Sequence, residues 1–212
     1  MTQTPELWTA TYDAENDEEL ADAYGKWASL YDHDTTEVMG YVGPQIAVQM
    51  LDKYVDSKEC RILDAGCGTG LVGEILNDLG YAHVDAMDFS EDMLMEAQKK
   101  EVYDRLLHED LNKGLKIPDN SYDATICVGT FTYAHVGPHA MDELIRVTRP
   151  GGHICFTIRD GVYQEDGYRK KMIETEFEKH WQLEELKEAD YLIKEGVTAK
   201  FCTYKVMENK GA

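Results

Sequence analysis

The chain has 212 residues, 43% of them hydrophobic and 29% charged, a balance that fits one folded domain with some decoration and excludes a disordered chain. Its 41 acids against 21 bases give a formal net charge of −20, which repels phosphate backbones and anionic membranes at long range, so neither nucleic acid nor membrane is expected as a partner. No stretch approaches the ~20 apolar residues that cross a bilayer, and the first twenty residues lack a basic start followed by an apolar run. The five cysteines (Cys60, Cys67, Cys127, Cys155, Cys202) are scattered, with no C-x-x-C pair, as in a cytoplasmic protein with reduced thiols.

Residues 1–16 read as a loose terminus. From Glu18 the spacing of Leu20, Tyr24, Trp27 and Tyr31 predicts a helix with an aromatic face. A second helical segment covers about residues 35–55 and is interrupted between Gly40 and Pro44, where proline can begin a new helix. The texture then changes. CRILDA (60–65) predicts a strand, 71–80 a helix closed by Gly80, HVDAMD (83–88) a strand and 90–100 a helix. Ser90 can cap that last helix, with Glu91 and Asp92 at its positive end and Lys99 and Lys100 at its negative end. Strands follow at 105–110, at 122–129 after the turn PDNS and at 153–159 after the turn RPGG, with a helix from about Pro138 to Val147. Beyond Tyr168 a helix to about His180 leads to two strand runs, 181–193 and 199–207, with no helix between them.

Central strands too apolar for a wet face, alternating with helices, predict a doubly wound α/β fold with a mainly parallel sheet of seven strands and an antiparallel C-terminal pair. The whole of 1–212 is expected to be one domain: a tail and helical cap (1–58), a ligand-binding core (59–160), and a C-terminal helix with a strand hairpin (161–212).

In such a sheet the loop after the first strand borders the ligand. Here that loop is ILDAGCGTG (62–70), which places Gly66, Gly68 and Gly70 between strand and helix. A P-loop requires a lysine and a hydroxyl that are missing, and the dinucleotide fingerprint places its third glycine where this chain has Leu71. Asp64 at the loop is awkward beside a pyrophosphate but welcome beside an ammonium or sulfonium. Asp88 ends the second strand about 20 residues after Gly66, where an acid accepts hydrogen bonds from ribose hydroxyls. The expected ligand is a cationic nucleoside.

The sequence resembles the class I S-adenosylmethionine-dependent methyltransferases across roughly residues 20 to 160. The likeness lies in LDAGCGTG, in Asp88-Phe89-Ser90 with Met93-Leu94, in His108-Glu109-Asp110-Leu111, in DNSYD (119–123) and in Arg149-Pro150-Gly151-Gly152. Within that superfamily the chain is similar to the methyltransferase-like proteins of the Williams-Beuren chromosomal region, through Tyr31-Asp32, ILDAGCGTGLV, DFSEDML, VGTFTYAHV and ELIRVTRPGG.

The resemblance implies S-adenosyl-L-methionine as cofactor, S-adenosyl-L-homocysteine as product, and transfer of a methyl group to an O, N or S atom, most simply of a small molecule. It also implies that Asp64, Gly66, Gly68 and Gly70 surround the methionine moiety and that Asp88 holds the ribose. Phe89, Asp110 and Leu111 would then meet the adenine, with Gly129 near the amino-acid end. Each has a plain structural alternative: turn capping for Asp64, Asp88 and Asp110, core packing for Phe89. Tyr24, Trp27 and Tyr31 can face the core, cover the cofactor, or do both.

Methyl transfer can run on alignment alone, so a general base is optional. His135, Tyr133 and Tyr31 are the candidates, with His135, His139, Arg159 and Tyr163 facing the acceptor. Arg159 can grip a substrate carboxylate or pair with Asp160. Gly137 and Pro138 argue against His135 and His139 sharing a metal, so none is expected. A nicotinamide-dependent oxidoreductase and a non-catalytic S-adenosylmethionine-binding protein are the rivals, and the chain is expected as a monomer or homodimer.

Overall fold

The computed structural model describes residues 6–14, 16–132, 136–165 and 167–208. Seven strands follow in chain order: β1 (Arg61–Ala65), β2 (His83–Asp88), β3 (Arg105–His108), β4 (Tyr122–Phe131), β5 (Thr148–Arg159), β6 (Trp181–Leu192) and β7 (Val197–Val206). They form one sheet in the order β3-β2-β1-β4-β5-β7-β6. Pairing is parallel from β3 to β5 and antiparallel at β7 and β6. The order reverses between β1 and β4, so a crevice opens beyond the carboxyl ends of those two strands.

Eight α-helices are described: α1 (Glu6–Asp13), α2 (Asp17–Asp32), α3 (Gly43–Asp52), α4 (Leu71–Asp78), α5 (Glu91–Lys99), α6 (Ala140–Val147), α7 (Val162–Glu165) and α8 (Tyr168–Phe177). A period of two sends adjacent strand residues into opposite cores. Leu63, Ile154 and Phe156 join a cluster with Leu144 of α6 and Met172 of α8, whereas Ile62 and Cys155 join one with Val48 of α3 and Leu76 of α4. Cover on both faces buries every residue of β1 and β2 after the first. All five cysteines are free and buried.

Three sequence expectations are corrected. The loose terminus contains α1, because Leu7 and Trp8 pack against the cluster that includes Trp27. Residues 33–39 form a π-helical stretch ended by Gly40 in the left-handed region (φ 69°). RPGG is not a turn before β5 but an irregularity within it, where the β4 register shifts between Tyr122 and Ala124. No helix among the described residues is long and apolar enough to cross a membrane.

Candidate active site

β1 ends at Ala65 and the chain turns through Gly66–Gly70 into α4. The amides of Gly66 and Cys67 both donate to the Met87 carbonyl, at 2.8 and 2.9 Å, tying the loop to the end of β2. Gly66 (φ 76°) also lies so close to Thr130 that a side chain would collide with its hydroxyl. At Gly68 (φ 52°) the space a side chain would take is open to 4 Å. The loop therefore presents bare backbone to an open cradle.

That cradle is part of a cleft of about 920 Å³. Of the residues expected at the cofactor, Gly66, Gly68, Asp88, Phe89, Asp110, Leu111, Gly129, Tyr24 and Tyr31 line it. Asp88 is 7% exposed and accepts from the Gly68 amide (2.8 Å) and the Ser90 amide (3.0 Å). Burial raises its pKa, and these amide bonds oppose the rise. Phe89 meets Tyr24 edge-on, ring centres 6.3 Å apart. Asp110 accepts from the Asn112 amide (2.8 Å) and pairs with Lys113 (2.8 Å). The described lining carries three acids, Asp88, Glu109 and Asp110, and no lysine, arginine or histidine.

Asp64 and Gly70 do not line the cleft. Gly70 packs on Tyr103, Lys100 and Ala97, a requirement of helix packing. Asp64 is fully buried behind the loop, with Oδ2 accepting from the Tyr103 hydroxyl at 2.6 Å. Its Oδ1 is buried without a hydrogen-bond partner among the described residues. Burial pushes this carboxyl up to about 7, against the Tyr103 hydrogen bond, which lowers it; the charge of Asp88 adds to the rise.

Beside the cleft lies a second cavity of about 450 Å³. It shares Tyr24, Tyr31, Tyr41 and Gly129 with the first and adds Trp27 and Arg159. Trp27 thus belongs to this smaller cavity. His139 and Tyr163 line neither. His139 is exposed at the start of α6, and Tyr163 packs against the core, 6.0 Å from Lys200. Tyr133 and His135 fall outside the described residues. Among those described, no group of three or more His, Cys, Asp or Glu side chains is arranged to hold a metal ion.

Three contributions were not read from the sequence. Tyr41 and Tyr191 meet hydroxyl to hydroxyl at 3.0 Å beside Gly129, and burial raises the Tyr41 pKa strongly. Tyr103 braces Asp64 and also accepts from the Gly73 amide at 3.1 Å. Asp32 at the end of α2 accepts from the Thr69 hydroxyl of the glycine loop. The glycine after Met39 marked a break just before Tyr41, but no local signal ties Tyr41 to a residue 150 positions away.

A doubly wound sheet of this order, with a glycine loop after β1 and an acid closing β2, defines the class of Rossmann-like methyltransferase folds. Residues 63–156 match the family model described as Methyltransferase domain. Methyltransferase-like protein 27 of Homo sapiens is 36% identical over 139 residues, 64% of this chain and 56% of that protein. A malonyl-[acyl-carrier protein] O-methyltransferase of Buchnera aphidicola subsp. Baizongia pistaciae is 32% identical over 162 residues, 76% of this chain and 63% of that one. An 18S rRNA (guanine-N(7))-methyltransferase of Bos taurus is 37% identical over 73 residues, covering 34% of this chain and 26% of that protein. The crystal structure of magnesium protoporphyrin IX methyltransferase (ChlM) from Synechocystis PCC 6803 with bound S-adenosylmethionine shares the fold. Its TM-score is 0.62 at 16% identity, covering 96% of this chain and 90% of that one. Through residues 63–156 the chain resembles the class I S-adenosylmethionine-dependent methyltransferases, and it spans between half and two thirds of the first two relatives' length.

The cofactor of that class fits the residues present. The open cradle at Gly68 admits a ligand against backbone, and Asp88 lies in the cleft wall as a ready acceptor. Asp64 Oδ1 behind the loop has no hydrogen-bond partner among the described residues, and a cation nearby would favour the ionised form of this carboxyl.

Proposed function

We propose that the protein transfers a methyl group from S-adenosylmethionine to an O, N or S atom of a small molecule. The observation that carries this is the charge of the cleft: three acids and no base among its described lining residues. A pyrophosphate ligand such as a nicotinamide dinucleotide would be repelled there, whereas a sulfonium with an ammonium group is favoured.

In this reading Asp88 accepts from the ribose hydroxyls, and Phe89, Asp110 and Leu111 enclose the adenine. The backbone of Gly66 and Gly68, with Asp64 behind it and Gly129 opposite, holds the methionine end. Tyr24 and Tyr31 cover the ligand from α2. Held by these residues, the cofactor would supply an electrophilic methyl group on a positively charged sulfur, which would keep the electron pair of the broken carbon–sulfur bond. The chain aligns the partners and excludes water, which is enough for an in-line displacement. Tyr31 borders both cavities and is the candidate to orient the nucleophile. The charge of −20 favours a small acceptor over nucleic acid, and five buried thiols suit a cytoplasmic setting.

Calorimetry with S-adenosylmethionine, S-adenosylhomocysteine and NADH tests the reading. Both sulfur compounds should bind and NADH should not; a response to NADH alone overturns it. Asp88→Ala should weaken cofactor binding by ~1–3 kcal/mol through lost hydrogen bonds. Methyl-labelled cofactor incubated with a metabolite extract should label a small molecule, and persistent absence of label would favour a binding protein without chemistry.

A further inference from the structure

The geometry points to the smaller cavity as the seat of the methyl acceptor, and to an acceptor that is flat and conjugated and carries a carboxylate at the end away from the atom to be methylated. This rests on the methyl-transfer reading above. The cavity's shared wall with the larger cleft, formed by Tyr24, Tyr31, Tyr41 and Gly129, is where donor and acceptor would meet.

The walls are rich in aromatic rings that pack edge-on in pairs. Trp27 and Tyr31 lie 4.7 Å apart between ring centres, and Tyr41 and Tyr191 lie 4.9 Å apart. These rings are held in place: the Trp27 indole donates to Asp34 at 2.9 Å, and the Tyr41 and Tyr191 hydroxyls share a bond. Fixed aromatic faces favour another π surface over a flexible chain.

The carboxylate follows from Arg159. It is the one charged side chain among the cavity's described lining residues, at the end of β5, with its guanidinium 5.5 Å from the centre of the Trp8 ring. The neighbouring Asp160 is engaged by Lys200 at 3.2 Å and by the Thr198 hydroxyl. A guanidinium has five donors in a planar fork, so it can grip a carboxylate while keeping other contacts. Arg159 belongs to the smaller cavity only, so an anchored carboxylate turns the acceptor's opposite end toward the shared wall. Among their described lining residues the two cavities carry charges of opposite sign. The acidic cleft seats a cation, the arginine-bearing cavity seats an anion, and each rejects the other's ligand.

The test is calorimetry on the full chain, with and without saturating S-adenosylhomocysteine, using four acid–amide pairs as probes: benzoate, cinnamate, 4-hydroxycinnamate and indole-3-acetate, each against its amide. At least one acid should bind about tenfold more tightly than its amide. Arg159→Gln should erase that preference while S-adenosylhomocysteine still binds as in wild type, which also shows that the variant is folded. Thr132→Phe, which fills the cavity from another wall, should weaken acid binding independently. No preference in any pair, or a preference that survives both substitutions, overturns the proposal. Failure of S-adenosylhomocysteine to bind wild type would instead overturn the methyl-transfer reading, and the four pairs measured without it still decide whether the cavity selects carboxylates.

Discussion

Asp64 is a carboxyl group sealed behind the loop it supports, and its ionisation is set against the stability of the fold. Burial lifts it from the usual carboxylate range to about 7. Below about pH 4 it is protonated in both folded and unfolded chains and has no differential effect. Between those values only the folded chain keeps the proton, and above 7 the folded chain bears the whole cost of a buried charge. The contribution of Asp64 to stability therefore falls as pH rises from about 4 to 7. Asp64→Asn keeps the shape and an acceptor for the Tyr103 hydroxyl but cannot ionise. Urea unfolding of the cofactor-free protein should show the variant gaining on wild type between pH 5 and pH 8; a difference that does not move with pH would show that the carboxyl stays in one state. The sequence marked Asp64 because it stands in the glycine motif. It could not mark Tyr103, which reaches it from 39 residues away.

At the scale of elements, α2 is fastened over the cleft at its C-terminal end. Asp32 pairs with Lys100 at 2.7 Å and accepts from Thr69 in the glycine loop, while Lys100 also reaches Glu74 at 2.5 Å. The Lys100 side chain is only 13% exposed, so this network is shielded better than an ordinary surface pair. Farther along α2, Gly25 approaches Asp92 of α5 so closely that a side chain would have to displace it. Asp32→Ala removes the link between cap and loop and should speed amide exchange across residues 17–39. It should also weaken cofactor binding by about 1–2 kcal/mol. Exchange that matches wild type would mean that the cap is held by its aromatic packing alone. The helix itself was readable from the period of Leu20, Tyr24, Trp27 and Tyr31. α1 was not, because eight residues make a marginal helix and its stability comes from seating Leu7 and Trp8 on rings of later segments.

At the scale of the molecule, what was legible follows the length of chain that encodes it. The glycine loop, Asp88 with Phe89, and the strands β1 to β5 are written in short contiguous runs, and their parallel order follows from alternation with helices. The smaller cavity is written nowhere in one place: it needs α1, α2, the π-helical stretch and the ends of β4, β5 and β6 to converge. Charge is a property of the same scale, and it yields the last prediction. Phosphate binding needs several bases free to neutralise a backbone. Here many of the bases are engaged by acids: Arg61 and Arg105 by Asp85, Arg146 by Glu143 and Asp119, Arg149 by Asp123, Lys53 by Glu185 and Lys171 by Asp142. The surplus of the −20 charge is left to repel both itself and any polyanion. Fluorescence anisotropy with a labelled single-stranded RNA, from about 50 to 200 mM salt, should show no saturable binding in the ~10⁻⁴–10⁻⁶ M range of basic non-specific binders. The melting temperature should rise over the same interval as salt screens the self-repulsion. Tight RNA binding that weakens steeply with salt would contradict both the electrostatic argument and the choice of a small acceptor.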